Sequence, residues 1–160
     1  MSRNYGVRKR GKAKTVIVTA LVVCAILIFG AFAVNLLRAD TRTVGASAFS
    51  VGGLDETGTY IERSDAIYTK DLIECKGLKI ERDFESNVSY QVFFYDEEEE
   101  FLEASELITE KFSDVPENAK YCRVMIVPEV PEDVEADEFE IGFFSAIKYA
   151  KQLTITVNRK

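Results

Sequence analysis

The chain has 160 residues, 20 Lys and Arg, 27 Asp and Glu, and no histidine, for a formal charge of −7. The missing histidine removes the commonest general base, the Ser-His and Cys-His nucleophile pairs, and the usual zinc ligand. Residues 38–160 carry 14 Lys and Arg against all 27 acids, a charge of −13 that repels phosphate backbones and excludes nucleic acid as a partner for that part.

Residues 1–14 hold six basic side chains (Arg3, Arg8, Lys9, Arg10, Lys12, Lys14) and no acid. They read as a cytoplasmic tail. Thr15 to Leu37 follows as 23 residues without a charge. At the helical rise this run spans about 34 Å, enough for a hydrocarbon core of about 30 Å. A single transmembrane helix is expected over 15–37. The basic residues ahead of it keep the N-terminus cytoplasmic and put the C-terminal bulk outside the cytoplasm. Ala31-Phe32-Ala33 has the form of a cleavage site, but the apolar stretch before it is longer than an ordinary signal-peptide core. An uncleaved single-pass anchor in the cell membrane is therefore the expectation, with cleavage at Ala33 as its alternative.

Residues 38–58 are rich in Ala, Ser, Thr and Gly and read as a flexible stalk, with Phe49 and Val51 placed to begin a strand. From residue 59 to 160 short runs of Val, Ile, Tyr, Phe and Thr alternate with turn residues. The predicted strands are 59–62, 66–69, 72–75, 78–82, 89–95, 101–104, 108–112, 121–127 and 153–158. In the last of these Leu153, Ile155 and Val157 share one face. Helical turns fit 105–111 or 146–152. Residues 128–140 (PEVPEDVEADEFE) read as an acidic loop, before Phe139–Phe144 returns to the core. Closely spaced strands without long amphipathic helices indicate an all-β, antiparallel sandwich.

The stretch Tyr90 to Val124 is the most distinctive. Phe93-Phe94-Tyr95-Asp96 turns into Phe101-Leu102, and Val115-Pro116-Glu117-Asn118-Ala119-Lys120-Tyr121 leads into Cys122-Arg123-Val124. This resembles the jelly-roll modules of bacterial and phage surface proteins, similar to galactose-binding-like or carbohydrate-binding sandwiches. The resemblance covers about residues 57–158 and implies a jelly-roll-like ectodomain. The chain departs from it at Glu97-Glu98-Glu99-Glu100, where the family carries Gly or Asn; a longer, mobile turn is expected there.

Candidate ligand-binding residues are Tyr95, Asp96, Tyr121 and Arg123. The first and third could join Tyr60, Tyr68, Tyr90 and Phe94 in a sugar-stacking platform or pack as core, and Arg123 could hold a ligand or a buried ion pair. Cys75 and Cys122 both face inward on predicted strands and form a candidate disulfide pair or two small buried hydrophobes. Asp96 to Glu100 lacks the spacing of a calcium loop and reads as a solvated hairpin tip. No metal, cofactor or catalytic set is expected. The chain reads as a non-enzymatic binding or scaffold module on the bilayer, facing envelope carbohydrate or an envelope protein. The alternative is an accessory subunit of a membrane complex, in secretion, division or sensing, that docks through the β domain and the transmembrane helix.

Overall fold

The computed structural model describes residues 41–158. The expected basic tail, transmembrane helix and Ala33 cleavage site lie outside the described residues. Among the described residues no helix is long and apolar enough to cross a membrane.

The described part is mostly antiparallel sheet, as expected of the all-β class. Eleven strands follow in chain order: β1 (Thr41–Val44), β2 (Phe49–Val51), β3 (Gly53–Leu54), β4 (Tyr60–Ile61), β5 (Ile67–Thr69), β6 (Ile73–Glu74), β7 (Lys79–Arg82), β8 (Val88–Tyr95), β9 (Phe101–Ala104), β10 (Tyr121–Pro128) and β11 (Leu153–Asn158). A short 3-10 helix spans Ala46–Ala48, and an α-helix, α1 (Phe143–Ala150), precedes β11. A three-stranded sheet has the order β1-β11-β7. A six-stranded sheet has the order β2-β5-β10-β8-β9, with β6 also paired to β10.

Alternation explains the three-stranded sheet. Leu153, Ile155 and Val157 of β11 are buried while Thr154 is exposed. Ile80 stands opposite Ile155 on β7. These inward side chains meet Val88, Tyr90, Val92 and Phe94 of β8 and Cys122, Val124 and Ile126 of β10 in the main core.

β8 is buried at seven of its eight positions rather than every second one. Its other face is covered too. Phe93 and Tyr95 pack with Leu54, Ala66 and Met125 in a second cluster, on the side where the β3–β4 hairpin lies. A strand covered on both faces has no polar side to show, so its apolar residues run together.

The expected stalk is corrected by this arrangement. Its residues 41–58 contain β1, β2 and β3, and β1 aligns with β11 from Thr41↔Asn158 to Val44↔Ile155. An edge strand is held by its backbone ladder, so Thr41, Arg42 and Thr43 stay exposed and give no apolar signal. The expected strand over 108–112 is also corrected. Ile108 and Phe112 make single bridges, to Tyr90 and Ile80, with coil between them. No helix forms at 105–111.

The acidic turn differs from expectation as well. It is a tight hairpin organised by Asp96. The Asp96 Oδ1 accepts the amides of Glu98 and Glu100, both at 2.9 Å. The β3–β4 hairpin repeats the device: the Asp55 Oδ1 accepts the amides of Thr57 and Thr59 at 2.8 and 2.9 Å. The Thr57 hydroxyl, followed by the Thr59 amide, holds the Asp55 carboxyl below its ordinary pKa.

In both hairpins the residue three places after the aspartate takes a left-handed backbone. That residue is Gly58 (φ 71°) in one and Glu99 (φ 67°) in the other. Glu99 pays the side-chain strain that Gly58 avoids. Replacing Glu99 with Gly is expected to stabilise the domain by about 1 kcal/mol, read as a higher urea midpoint with an unchanged slope.

Candidate functional site

Three of the four predicted ligand residues come together on one face of the six-stranded sheet: Tyr121 stands opposite Tyr95, and Arg123 lies two places further along β10. Tyr95 is only 6 % exposed, and its hydroxyl donates to the Gly58 carbonyl at 2.7 Å. Burial, first among several influences, pushes its pKa up and keeps it a donor. Asp96 serves its turn. Tyr121 is half-buried on β10. The Arg123 guanidinium lies 5.8 Å from the centre of the Tyr95 ring, within reach of a cation–π contact.

The wider aromatic platform is mostly structural. Tyr90 is fully buried, and its hydroxyl donates to the Glu110 carbonyl at 2.6 Å. Phe94 packs against Phe112. Tyr60 leans on Tyr68 with ring centres 5.3 Å apart. Gly52 lies so close beneath that a Cβ there would stand 2.7 Å from the Tyr60 ring.

Exposed aromatic side chains gather in a different place. After the exposed acidic loop, Phe139 and Ile141 are buried as expected, and the Ile141 amide donates to the Ser64 carbonyl at 2.7 Å. The expectation fails at the next step: Phe143 and Phe144 are 72 % and 83 % exposed. Gly142 precedes α1 in extended backbone and places no side chain over its first turn. Within α1, positions 143, 146, 147 and 150 form one stripe at helical spacing. Ala146 and Ala150 seat that stripe in the core.

The small alanines bring the helix close to β2 but leave space at its N-terminal end. There Phe143, Ala146 and Ile147 face Ala46, Phe49 and Val51 across a groove of about 410 Å³, with Ser47, Ser50 and Lys70 also on its walls. Phe144 meets Phe143 edge-on, with ring centres 5.6 Å apart.

The segment that leads into α1 is acidic, while Lys70 stands on the groove wall. Residues 129–140 carry seven carboxylates, all exposed, and no Lys or Arg. Among the described residues no group of three or more His, Cys, Asp or Glu is arranged to hold a metal ion.

No family model matches the chain, and no curated protein or solved structure matches it either.

Sequence reasoning missed the groove because Phe143 and Phe144 look like the end of a core-bound run. The available signal was their adjacency. Neighbouring helix positions point about 100° apart, so Ala146 and Ala150 could bring only one of the pair towards the sheet.

Proposed function

We propose that the chain is a non-enzymatic docking module held on the outer face of a membrane, which takes an apolar, basic segment of a partner protein into the groove between α1 and β2. The basic tail and the apolar run 15–37 supply the tether. The exposed Phe143 and Phe144 carry the reading. Two adjacent aromatic rings in water beside an apolar groove are unfavourable unless something covers them, and such patches mark interaction sites. Aromatic anchors near a pocket are also where binding energy concentrates.

The acidic loop supports the basic character of the partner, since opposite charge steers and orients an encounter. A protein partner fits better than a sugar because Tyr95 and Tyr90, expected in a stacking platform, are buried. The jelly-roll reading draws support from the exchange of strands between the sheets: β1, β7 and β11 sit in one, and β5, β8 and β10, which come between them in sequence, sit in the other.

A photo-reactive residue in place of Phe144, in the full chain in its own membrane, tests the reading. The expected result is one dominant protein adduct, lost with Phe143→Ser and weakened by salt. A photo-reactive residue at the exposed Thr154 should give no such adduct. Adducts to lipid or glycan alone, or the same adducts from both positions, contradict it. Exchanging Thr15–Leu37 for an unrelated membrane helix should leave the adduct in place. Its loss would favour the subunit reading, with the decisive contact inside the bilayer.

A further inference from the structure

Cys75 and Cys122 belong to neighbouring strands of the six-stranded sheet. β6 and β10 pair with Glu74 opposite Tyr121 and Ile73 opposite Cys122. One residue beyond β6, the Cys75 amide donates to the Lys120 carbonyl at 2.9 Å. Cys75 therefore stands opposite Lys120, two places from Cys122 along β10. Residues two apart project from the same face of a sheet, so the two cysteines form a diagonal cross-strand pair. Both lie in the main core, 3 % and 0 % exposed. The neighbouring Cys75 thiol, ahead of burial, pushes the Cys122 thiol well above its ordinary pKa.

Packing alone asks only for small apolar groups at these positions. Two thiols on one face of adjacent strands allow more. We propose that Cys75 and Cys122 are a disulfide site, which on oxidation clips β6 and the turn after it to the centre of the six-stranded sheet.

The route in is visible. Cys75 helps to line a surface groove of about 600 Å³ together with Leu78, Val115, Pro116, Ala119 and Lys120. An external disulfide, such as oxidised glutathione or the oxidised active site of an envelope oxidoreductase, is the oxidant. The Cys75 thiolate attacks one of its sulfurs; a mixed disulfide forms, and the first external thiolate leaves and takes up the proton that Cys75 lost. The Cys122 thiolate then attacks the Cys75 sulfur and expels the second external thiolate, which takes the Cys122 proton. Two cysteines are oxidised, and one external disulfide is reduced to two thiols.

The gain is largest where the chain is held least. β6 has two residues and, among the described residues, one partner strand, β10. A bond from Cys75 to Cys122 closes a loop containing β7, β8 and β9. Closing so long a loop restricts the unfolded chain and is expected to raise Tm by roughly 10 °C.

Formation of the bond in cells rests on the outward topology of the proposed function; the ability to form it rests on the strand register alone. The test separates the two. The full chain with Cys24→Ser is purified in detergent, treated with oxidised glutathione, denatured and exposed to a maleimide. The expected product has lost two hydrogens in mass, takes no maleimide, and yields a peptide pair linked through Cys75 and Cys122. Its Tm rises by the stated amount, whereas Cys75→Ser and Cys122→Ser show no rise. Two free thiols, or a stable glutathione adduct at Cys75 without the link, overturn the proposal. The same chain, acid-quenched from cells, should already be linked. If it is reduced in cells yet links in the tube, the site stands and the outward topology falls.

Discussion

Gly58→Ala is expected to destabilise the domain by about 3 kcal/mol, the sum of a left-handed backbone penalty and an overpacked site. Gly58 has φ 71° and is buried under the aromatic cluster. A Cβ there would stand 2.6 Å from the Tyr95 hydroxyl and 2.7 Å from Cδ2 of Phe101. Tyr95 cannot swing away freely, because its hydroxyl donates to the carbonyl of Gly58 itself. Movement that relieves the overlap would lengthen that bond, and the ring is also held edge-on by Phe101 at 5.9 Å. Urea unfolding of Gly58→Ala beside Glu99→Gly is the informative comparison. The same backbone position in two similar hairpins should respond with opposite signs. Equal responses would mean that left-handed strain does not govern these turns.

Tyr90→Ala is expected to cost about 4 kcal/mol, in the range for removing a large ring from a packed core. Tyr90 is fully buried in the middle of β8, opposite Ile126. Its amide and carbonyl pair with Ile108, and its hydroxyl reaches the Glu110 carbonyl, so one residue ties the segment after β9 to the sheet. Tyr90→Phe keeps the ring and removes only the hydroxyl bond; about 1 kcal/mol is expected. That variant also carries a pH signature. Burial pushes the Tyr90 hydroxyl up to about 12, against an opposing pull from Arg82. The folded state therefore holds this proton more tightly than the unfolded state. The associated stability is complete below an ordinary tyrosine pKa of about 10 and is lost as pH rises through about 12. Unfolding midpoints measured across that interval should fall more steeply in the parent than in Tyr90→Phe. Parallel curves would contradict the assignment.

Legibility in the sequence followed physical rules that differ between elements. β11 could be read because one of its faces is wet: Leu153, Ile155 and Val157 alternate with Thr154 and Thr156. β8 and β10 were legible as apolar runs. Their aromatics could not be assigned to core or ligand, because a strand covered on both faces buries either phase. Tyr95 thus looked like a platform residue and is a core residue. β1 was hidden because an edge strand needs backbone partners more than apolar side chains. The glycines of β3 and its neighbours suggested a stalk. Gly52 instead gives the Tyr60 and Tyr68 rings room to approach the backbone. Asp96 to Glu100 was legible as a hairpin tip, and Asp96, a candidate ligand residue, caps that turn with its side chain. What could not be read was that Glu99 would accept the left-handed position and keep the hairpin short. The groove was hidden for another reason. A patch on the surface is defined by what fails to cover it, and that depends on where β2 and α1 meet, 92 residues apart from Val51 to Phe143.

The most direct measurement concerns the side of the membrane on which the β domain stands. Thr154 is exposed on β11 and belongs neither to the residues that line the groove nor to the cysteine pair. A full chain carrying Thr154→Cys, in cells whose cytoplasmic membrane is intact, is treated with a maleimide that cannot cross bilayers. Labelling at position 154 before any permeabilisation is the predicted result. Labelling that appears only after the membrane is opened would place the domain on the cytoplasmic side, and an outward-facing docking role could not stand.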